Sequence, residues 1–329
     1  MSVGSPSCTF VSFCGLRVKG FNTKDTKVHE GNATCSVGGI RVRSRIIVRF
    51  PMAASLDQIV AAARCRVASA KRSADLRQLE QRAERHAPRG FRRALATRSQ
   101  TGPAVIAELK KASPSRGLIR ANFDPESLAG ELEAAGASAL SVLTDEEFFQ
   151  GSLHNLERAS ARAKVPCLQK DFVIDEFQLL QARAYGADAI LLIAAVLSHA
   201  ELIALSNKGR ALGLDVLCEA HNEVELRLAV DAGSDLIGVN NRDLRTFEVD
   251  VNTALRLAEM IPHDVISVAE SGIDNGADIA RLRAAGYQAF LIGESLMKAE
   301  SPGEALQSLI AETEREGLAL NTRDQKLVL

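Results

Sequence analysis

Five times between residues 134 and 293 the sequence repeats one pattern: a helical stretch closes on a glycine, two or three residues pass, and a short β-branched or leucine-rich run follows. The copies read AAGASALSVLT (134–144), AYGADAILLIA (184–194), ALGLDVLCEA (211–220), DAGSDLIGVN (231–240) and AAGYQAFLIG (284–293). The glycine suits the position just past a helix end, where a left-handed backbone costs little without a Cβ. The run behind it is apolar on both faces, as a parallel strand buried between helices and core must be. Adding VIAELK (105–110), VPCLQK (165–170) and VISVAES (265–271) makes eight strands, beginning near 105, 139, 165, 189, 215, 236, 265 and 289. Their spacing of about 21 to 34 residues suits one strand and one helix each. Eight right-handed βα units predict an α/β chain closed into a (β/α)8 TIM barrel. An open doubly wound sheet fits less well, because no GxGxxG turn follows the first strand.

An extra helical segment precedes the barrel. From Leu56 to Thr97, Ile59, Ala63, Val67, Leu76 and Leu79 recur at helical spacings, with a break at Pro88-Arg89-Gly90. It reads as a lid over one barrel end, or as a segment that helps close a substrate site. Residues 1–51 are rich in Ser, Gly, Thr and basic residues and show no sustained period. They read as an unstructured extension, either an organelle transit peptide or upstream sequence ahead of a start at Met52. The predicted division is 1–51 extension, 52–100 helical extension, 101–316 catalytic barrel and 317–329 tail. The chain ends about twenty residues past the last expected helix, short of a second barrel, so one function is expected.

Charge narrows the partners. Residues 1–51 carry eight Lys/Arg against two acids, so the net charge of −1 leaves the rest of the chain at −7. An acidic body is a poor nucleic-acid binder, since neutralising a phosphate backbone takes a basic face. A phosphorylated small molecule needs only a local cluster of donors. The longest strongly apolar run, 189–197, is far below the ~18 residues of a membrane span, so no membrane association is expected. The six cysteines show no CxxC and the six histidines no HExxH. No metal site or disulfide framework is expected, and Cys167 and Cys218 read as small buried hydrophobes.

Polar residues at the C-terminal ends of barrel strands face the active site. Strand one ends Glu108-Leu109-Lys110, so its two charges share a face. Strand three ends in Lys170, strand five in Glu219, strand six in Asn240 and strand seven in Glu270-Ser271. Lysines and glutamates on one rim supply both signs needed for proton transfer, and their proximity shifts their pKa values. The last two strands end in Ser271-Gly272 and Gly293-Glu294, where barrels often hold a phosphate on backbone N–H groups and a short helix start.

As strings, these segments resemble the indole-3-glycerol phosphate synthase family. The matches are AVIAELKKASPSRG (104–117), SVLTDEEFFQGS (141–152), KDFVIDEFQ (170–178), EAHNEVEL (219–226), IGVNNRDLRTF (237–247), AESGI (269–273) and FLIGESLM (290–297). The resemblance covers residues 56–310 in order. The first and fifth strings are the specific ones, whereas AESGI and FLIGESLM recur in other phosphate-binding barrels. It implies a carboxy-lyase of tryptophan biosynthesis that converts 1-(2-carboxyphenylamino)-1-deoxyribulose 5-phosphate to indole-3-glycerol phosphate, with no metal or organic cofactor. Glu108, Lys110, Lys170, Glu219 and Asn240 are then implied as catalytic or substrate-orienting. Ser113, Phe123, Leu143, Phe149, Arg242 and Leu244 would lie against the carboxyphenyl and ribulose parts, and Ser271, Gly272, Gly293 and Glu294 would hold the phosphate. The resemblance also implies association with other enzymes of the pathway and a cytoplasmic location, or a plastid one if residues 1–51 are a transit peptide. Which lysine acts at which step stays open. Departures from the family pattern are small: Cys218 stands before Glu219 in place of an aliphatic residue, and Gln169 before Lys170 in place of a basic one. The competing readings are another phosphate barrel of the same pathway, which should lack the ExK…SPS string, and a non-catalytic channelling barrel, which would have lost an acid or base.

Overall fold

The eight apolar runs pair side by side and bury themselves on both faces. A computed structural model describes residues 55–327, with side chains for 55–317, together with the backbone of 30–37 and 40–47. The strands are Ala104–Leu109 (β1), Ala139–Leu143 (β2), Cys167–Lys170 (β3), Ala189–Ile193 (β4), Asp215–Ala220 (β5), Leu236–Asn240 (β6), Ile266–Glu270 (β7) and Ala289–Ile292 (β8). Each pairs in parallel with its chain neighbour, and β8 returns to β1 with Ala289 opposite Ala104 and Ile292 opposite Ala107, closing the barrel. Burial along the strands falters only at Lys170, which ends β3, and at Asp215, which starts β5. The five repeat glycines, Gly136, Gly186, Gly213, Gly233 and Gly286, all have positive φ, as a glycine past a helix end requires.

Side chains alternate between two cores. Val105, Ala107 and Leu109 of β1 point outward to the surrounding helices, while Ala104 and Ile106 point into the barrel. Leu168, Leu191, Leu217, Leu236, Val268 and Leu291 fill the interior beside them. The predicted helical extension is three helices, Leu56–Ser73 (α1), Leu76–Arg85 (α2) and Phe91–Ser99 (α3). Ser55 and Asp75 cap the first two by accepting from Gln58 and Gln78. Ile59 and Ala63 of α1 and Phe91 and Leu95 of α3 join the interior core, so the extension is part of the barrel's packing. Leu76 departs from the expected apolar face: it opens α2 half exposed.

At the N-terminal ends of the strands, Asp188 is fully buried and takes five donors. They are the Arg89 N–H, Nε and Nη2, the Cys167 N–H, and His86 Nε2 at 3.1 Å. This knot fastens the α2–α3 turn beneath β3 and β4.

Two expectations change. The last helix, Pro302–Leu327, runs through most of the segment predicted as a tail, because TEREGLALNTRDQK holds no proline and a single glycine. In the separate N-terminal unit, Glu30–Val37 and Ile40–Ile47 form an antiparallel pair, Glu30 opposite Ile47, where no regular structure was predicted. The alternation of Ile40, Val42 and Ser44 with Arg41, Arg43 and Arg45 is the signal for it. The remainder of the expected 1–51 extension lies outside the described residues.

Candidate active site

The alternation that sends Ile106 inward also sends Glu108 and Lys110 inward, one and two steps nearer the mouth. By the same step of two, Leu168 leads to Lys170, Leu217 to Glu219, Gly238 to Asn240, Val268 to Glu270 and Leu291 to Gly293. Glu108, Lys110, Lys170, Glu219, Asn240, Glu270 and Gly293 line one cavity of about 260 Å³ at the C-terminal ends of the strands.

Two ion-paired lysines organise it. Lys110 Nζ lies 2.5 Å from Glu108 Oε2. Lys170 Nζ donates to Glu219 Oε2 at 2.9 Å and sits 3.7 Å from Glu270 Oε2. Burial opposes charge on Lys170, but Glu219, Glu270 and Glu108 outweigh it and hold the ammonium above the ordinary lysine range. Burial likewise opposes charge on Glu219, but Lys170 and His221 overcome it and keep this carboxylate ionised far below the usual range. Glu270 goes the other way: burial and then the charge of Glu219 raise its carboxyl well above the usual value, against the pull of Lys170. Both Glu270 oxygens are buried and without a hydrogen-bond partner. Two carboxylates flanking one ammonium compete for it, and the nearer one, Glu219, has the stronger pairing.

An apolar slot lies beside the charges. Phe149 and Phe172 face each other at 6.5 Å between ring centroids, and Leu143, Leu244, Leu56 and Ile59 complete the wall. Since Leu56 and Ile59 belong to α1, the extension closes this end of the site. Arg66 of α1 grips the same rim, pairing with Asp145 at 2.7 Å and Asp171 at 2.8 Å. Asp171 also accepts from Thr144 Oγ1 at 2.5 Å, and Thr144 in turn accepts from Gln169.

The opposite wall suits an anion. Ser271 and Gly272 both have positive φ, and Ser271, with its Cβ, pays a strain there that recurs at binding sites. The short helix Glu294–Lys298 starts at Gly293 with no side-chain cap, leaving its first N–H groups free to meet a ligand. The Glu294 carboxylate is already held by Lys298 at 2.6 Å, Arg116 at 3.1 Å and Arg242 at 3.4 Å. Asn240 Oδ1 accepts the Arg242 N–H at 3.0 Å, setting the loop that carries Arg242 and Leu244.

Of the fifteen residues expected from the sequence, the cavity gathers all but Phe123. Phe123 directly precedes Asp124, the cap of the helix Pro125–Ala134, and its ring packs on the outer core instead. The site adds Glu270, Phe172, Arg116, Leu56 and Ile59. Glu270 was legible as a charge at a strand end, whereas the two α1 residues carry no local mark of a role in a site. Cys167 and Cys218 are buried, and burial pushes each thiol up to about 12. Among the described residues no helix is long and apolar enough to cross a membrane, and no group of three or more His, Cys, Asp or Glu is arranged to hold a metal ion.

Comparison with known proteins adds to this geometry. Residues 56–309 match the family model described as indole-3-glycerol phosphate synthase. A protein of that name from Koribacter versatilis is 58% identical over 259 residues, covering 79% of this chain and 100% of that protein. Another from Burkholderia vietnamiensis is 48% identical over 252 residues, 76% of this chain and 97% of that one. Among solved structures, 3-hexulose-6-phosphate synthase from Salmonella typhimurium aligns with a TM-score of 0.53 at 10% identity, over 65% of this chain and 99% of that one, a likeness of fold alone.

Proposed function

The chain belongs to the indole-3-glycerol phosphate synthase family, and from that premise we propose how its barrel mouth does the chemistry. It is a decarboxylating lyase of tryptophan biosynthesis that converts 1-(2-carboxyphenylamino)-1-deoxyribulose 5-phosphate to indole-3-glycerol phosphate with loss of CO2 and water. The substrate's three parts match three regions of the cavity. Its phosphate goes to the N–H groups of Ser271, Gly272, Gly293 and Glu294, near the guanidinium groups of Arg116 and Arg242. Its aromatic ring goes to the slot of Phe149, Phe172, Leu143 and Leu244. Its carboxylate meets Lys110 and Ser113, and its ketone meets Lys170.

Fixing both ends of the substrate brings the carboxyl-bearing ring carbon against the ketone carbon, and such preorganisation replaces an improbable encounter with a bound geometry. As the C–C bond forms, the ketone oxygen gains negative charge and takes a proton from Lys170, which Glu219 aims. Loss of CO2 then returns the electron pair of the broken C–C bond to the ring. The new hydroxyl leaves as water on a proton from Glu270, and Glu108 takes a proton from the neighbouring methylene carbon to complete the indole. Lys170 Nζ set between two buried carboxylates, 2.9 Å from Glu219 Oε2 and 3.7 Å from Glu270 Oε2, is the observation that carries this assignment. The test is to incubate purified protein with the carboxyphenylamino substrate and follow indole-glycerol phosphate fluorescence. Turnover is expected, and its absence from well-folded protein would overturn the reading.

A further inference from the structure

His221 stands directly after β5, behind Glu219, and does not line the cavity. Its ring is almost fully buried between two carboxylates. Nδ1 lies 2.8 Å from Glu225 Oε2, an oxygen that also accepts the His221 backbone N–H at 2.9 Å. Nε2 lies 3.2 Å from Glu219 Oε1, although off the line of a good hydrogen bond. Asn222 Nδ2 holds the other Glu225 oxygen at 2.6 Å. Ionised carboxylates only accept, so a ring with one on each side carries a proton on both nitrogens. Glu219 therefore has a cation at each oxygen, His221 at Oε1 and Lys170 at Oε2.

We propose that His221 is a positioning residue of the catalytic centre, a fixed imidazolium that holds Glu219 ionised and aimed so that Glu219 can present Lys170 to the substrate. The charged groups form one line: Glu225 from the following helix, His221 just past β5, Glu219 from β5, Lys170 from β3, then Glu270 from β7 and Glu108 from β1. Burial would discharge the ring, but the two glutamates prevail and raise its pKa to about 10, so its charge persists across the neutral range. A histidine that merely capped the helix Glu223–Asp231 would need Glu225 alone. The contact with Glu219 gives it a second partner inside the site.

This inference rests on the role proposed above for Lys170, and its test separates the two. His221→Gln keeps a neutral donor near Glu219 but removes the charge. Glu219, left with Lys170 as its one cation and without a fixed aim, should then present Lys170 poorly, lowering kcat at pH 8 by about tenfold. KM at pH 8 should stay within about threefold of the parent, since His221 touches no substrate. Glu225→Gln should lower kcat in the same direction by less. An NMR titration of the intact parent protein should find the His221 ring still charged well above the ordinary histidine value of ~6.5, and this measurement needs no substrate. An unchanged kcat in both variants, or a His221 ring titrating near ~6.5 in the parent, would overturn the inference while leaving the synthase reading intact. If His221→Gln does not fold, Glu225→Gln and the titration decide it.

Discussion

At the scale of single residues, Lys170 is the sharpest commitment. Lys170→Met should lower kcat by roughly 10² to 10⁴ with a smaller change in KM, the range typical of losing a positioned acid. Steady-state kinetics check it, and a kcat within a few-fold of the parent would hand the role to Lys110. Gly293 shows what the sequence leaves out. Read as part of a phosphate loop, Gly293→Val should only obstruct the anion. In the folded chain, however, a Cβ there would collide with the Glu108 carboxyl. The variant should therefore lose kcat as well as affinity, and a pure KM effect would show that Glu108 moves aside freely. Strand parity made Glu108, Lys110, Lys170, Glu219 and Asn240 readable, because a strand end and a step of two are local properties of the chain. That Glu270 shares Lys170 with Glu219 was not readable, since it depends on three strands closing into one ring. Phe123 lies between two matching strings, and its place is set by the helix that follows it.

At the scale of elements, the three helices before the barrel hold it at both ends. Leu56, Ile59 and Arg66 of α1 reach the mouth, and the α2–α3 turn is tied underneath through Asp188. The periodicity of 56–97 predicted helices but not these ties, whose partners lie 79 to 105 residues apart in the chain. Burial alone would raise the Asp188 carboxyl, but bonds from His86 and Arg89 outweigh it and hold it below the ordinary range. A carboxylate depressed in the folded state stabilises above its unfolded value of ~3.9, and that contribution is lost as pH falls through the folded value. Asp188→Asn leaves Arg89 without its counter-charge, so it should cost about 3 kcal/mol at neutral pH and blunt the acid sensitivity of unfolding below about pH 4. Calorimetry across pH tests this, and an unchanged Tm would reduce the knot to decoration. Arg66→Met should act at the other end by loosening α1 over the slot. KM should rise several-fold while kcat falls less, and unchanged kinetics would mean that α1 stays seated without its clamp.

At the scale of the whole molecule, the family match, residues 56–309, falls within the unit that starts at Ala53. Protein starting at Met52 should fold and turn over like the full chain, and loss of most activity would make the first 51 residues part of the enzyme. The ring itself has a seam. Seven of its eight parallel joins link strands consecutive in sequence, while β8 meets β1 across about 185 residues. Loop-closure entropy grows only with the logarithm of length, so this join costs roughly 1.6 kcal/mol more than one spanning ~30 residues. That is small for equilibrium stability but decisive for order of events, because distant joins form only after local ones have made them worthwhile. The strands should therefore assemble first as an open curved sheet, and pulse-labelling hydrogen exchange should find amides between β2 and β5 protected before those across the β8–β1 junction. Until that junction shuts, Glu108 on β1 and Lys110 just past its end lie at one free edge of the sheet, far from Glu270 near the other, so catalytic competence arrives only with the final step of folding.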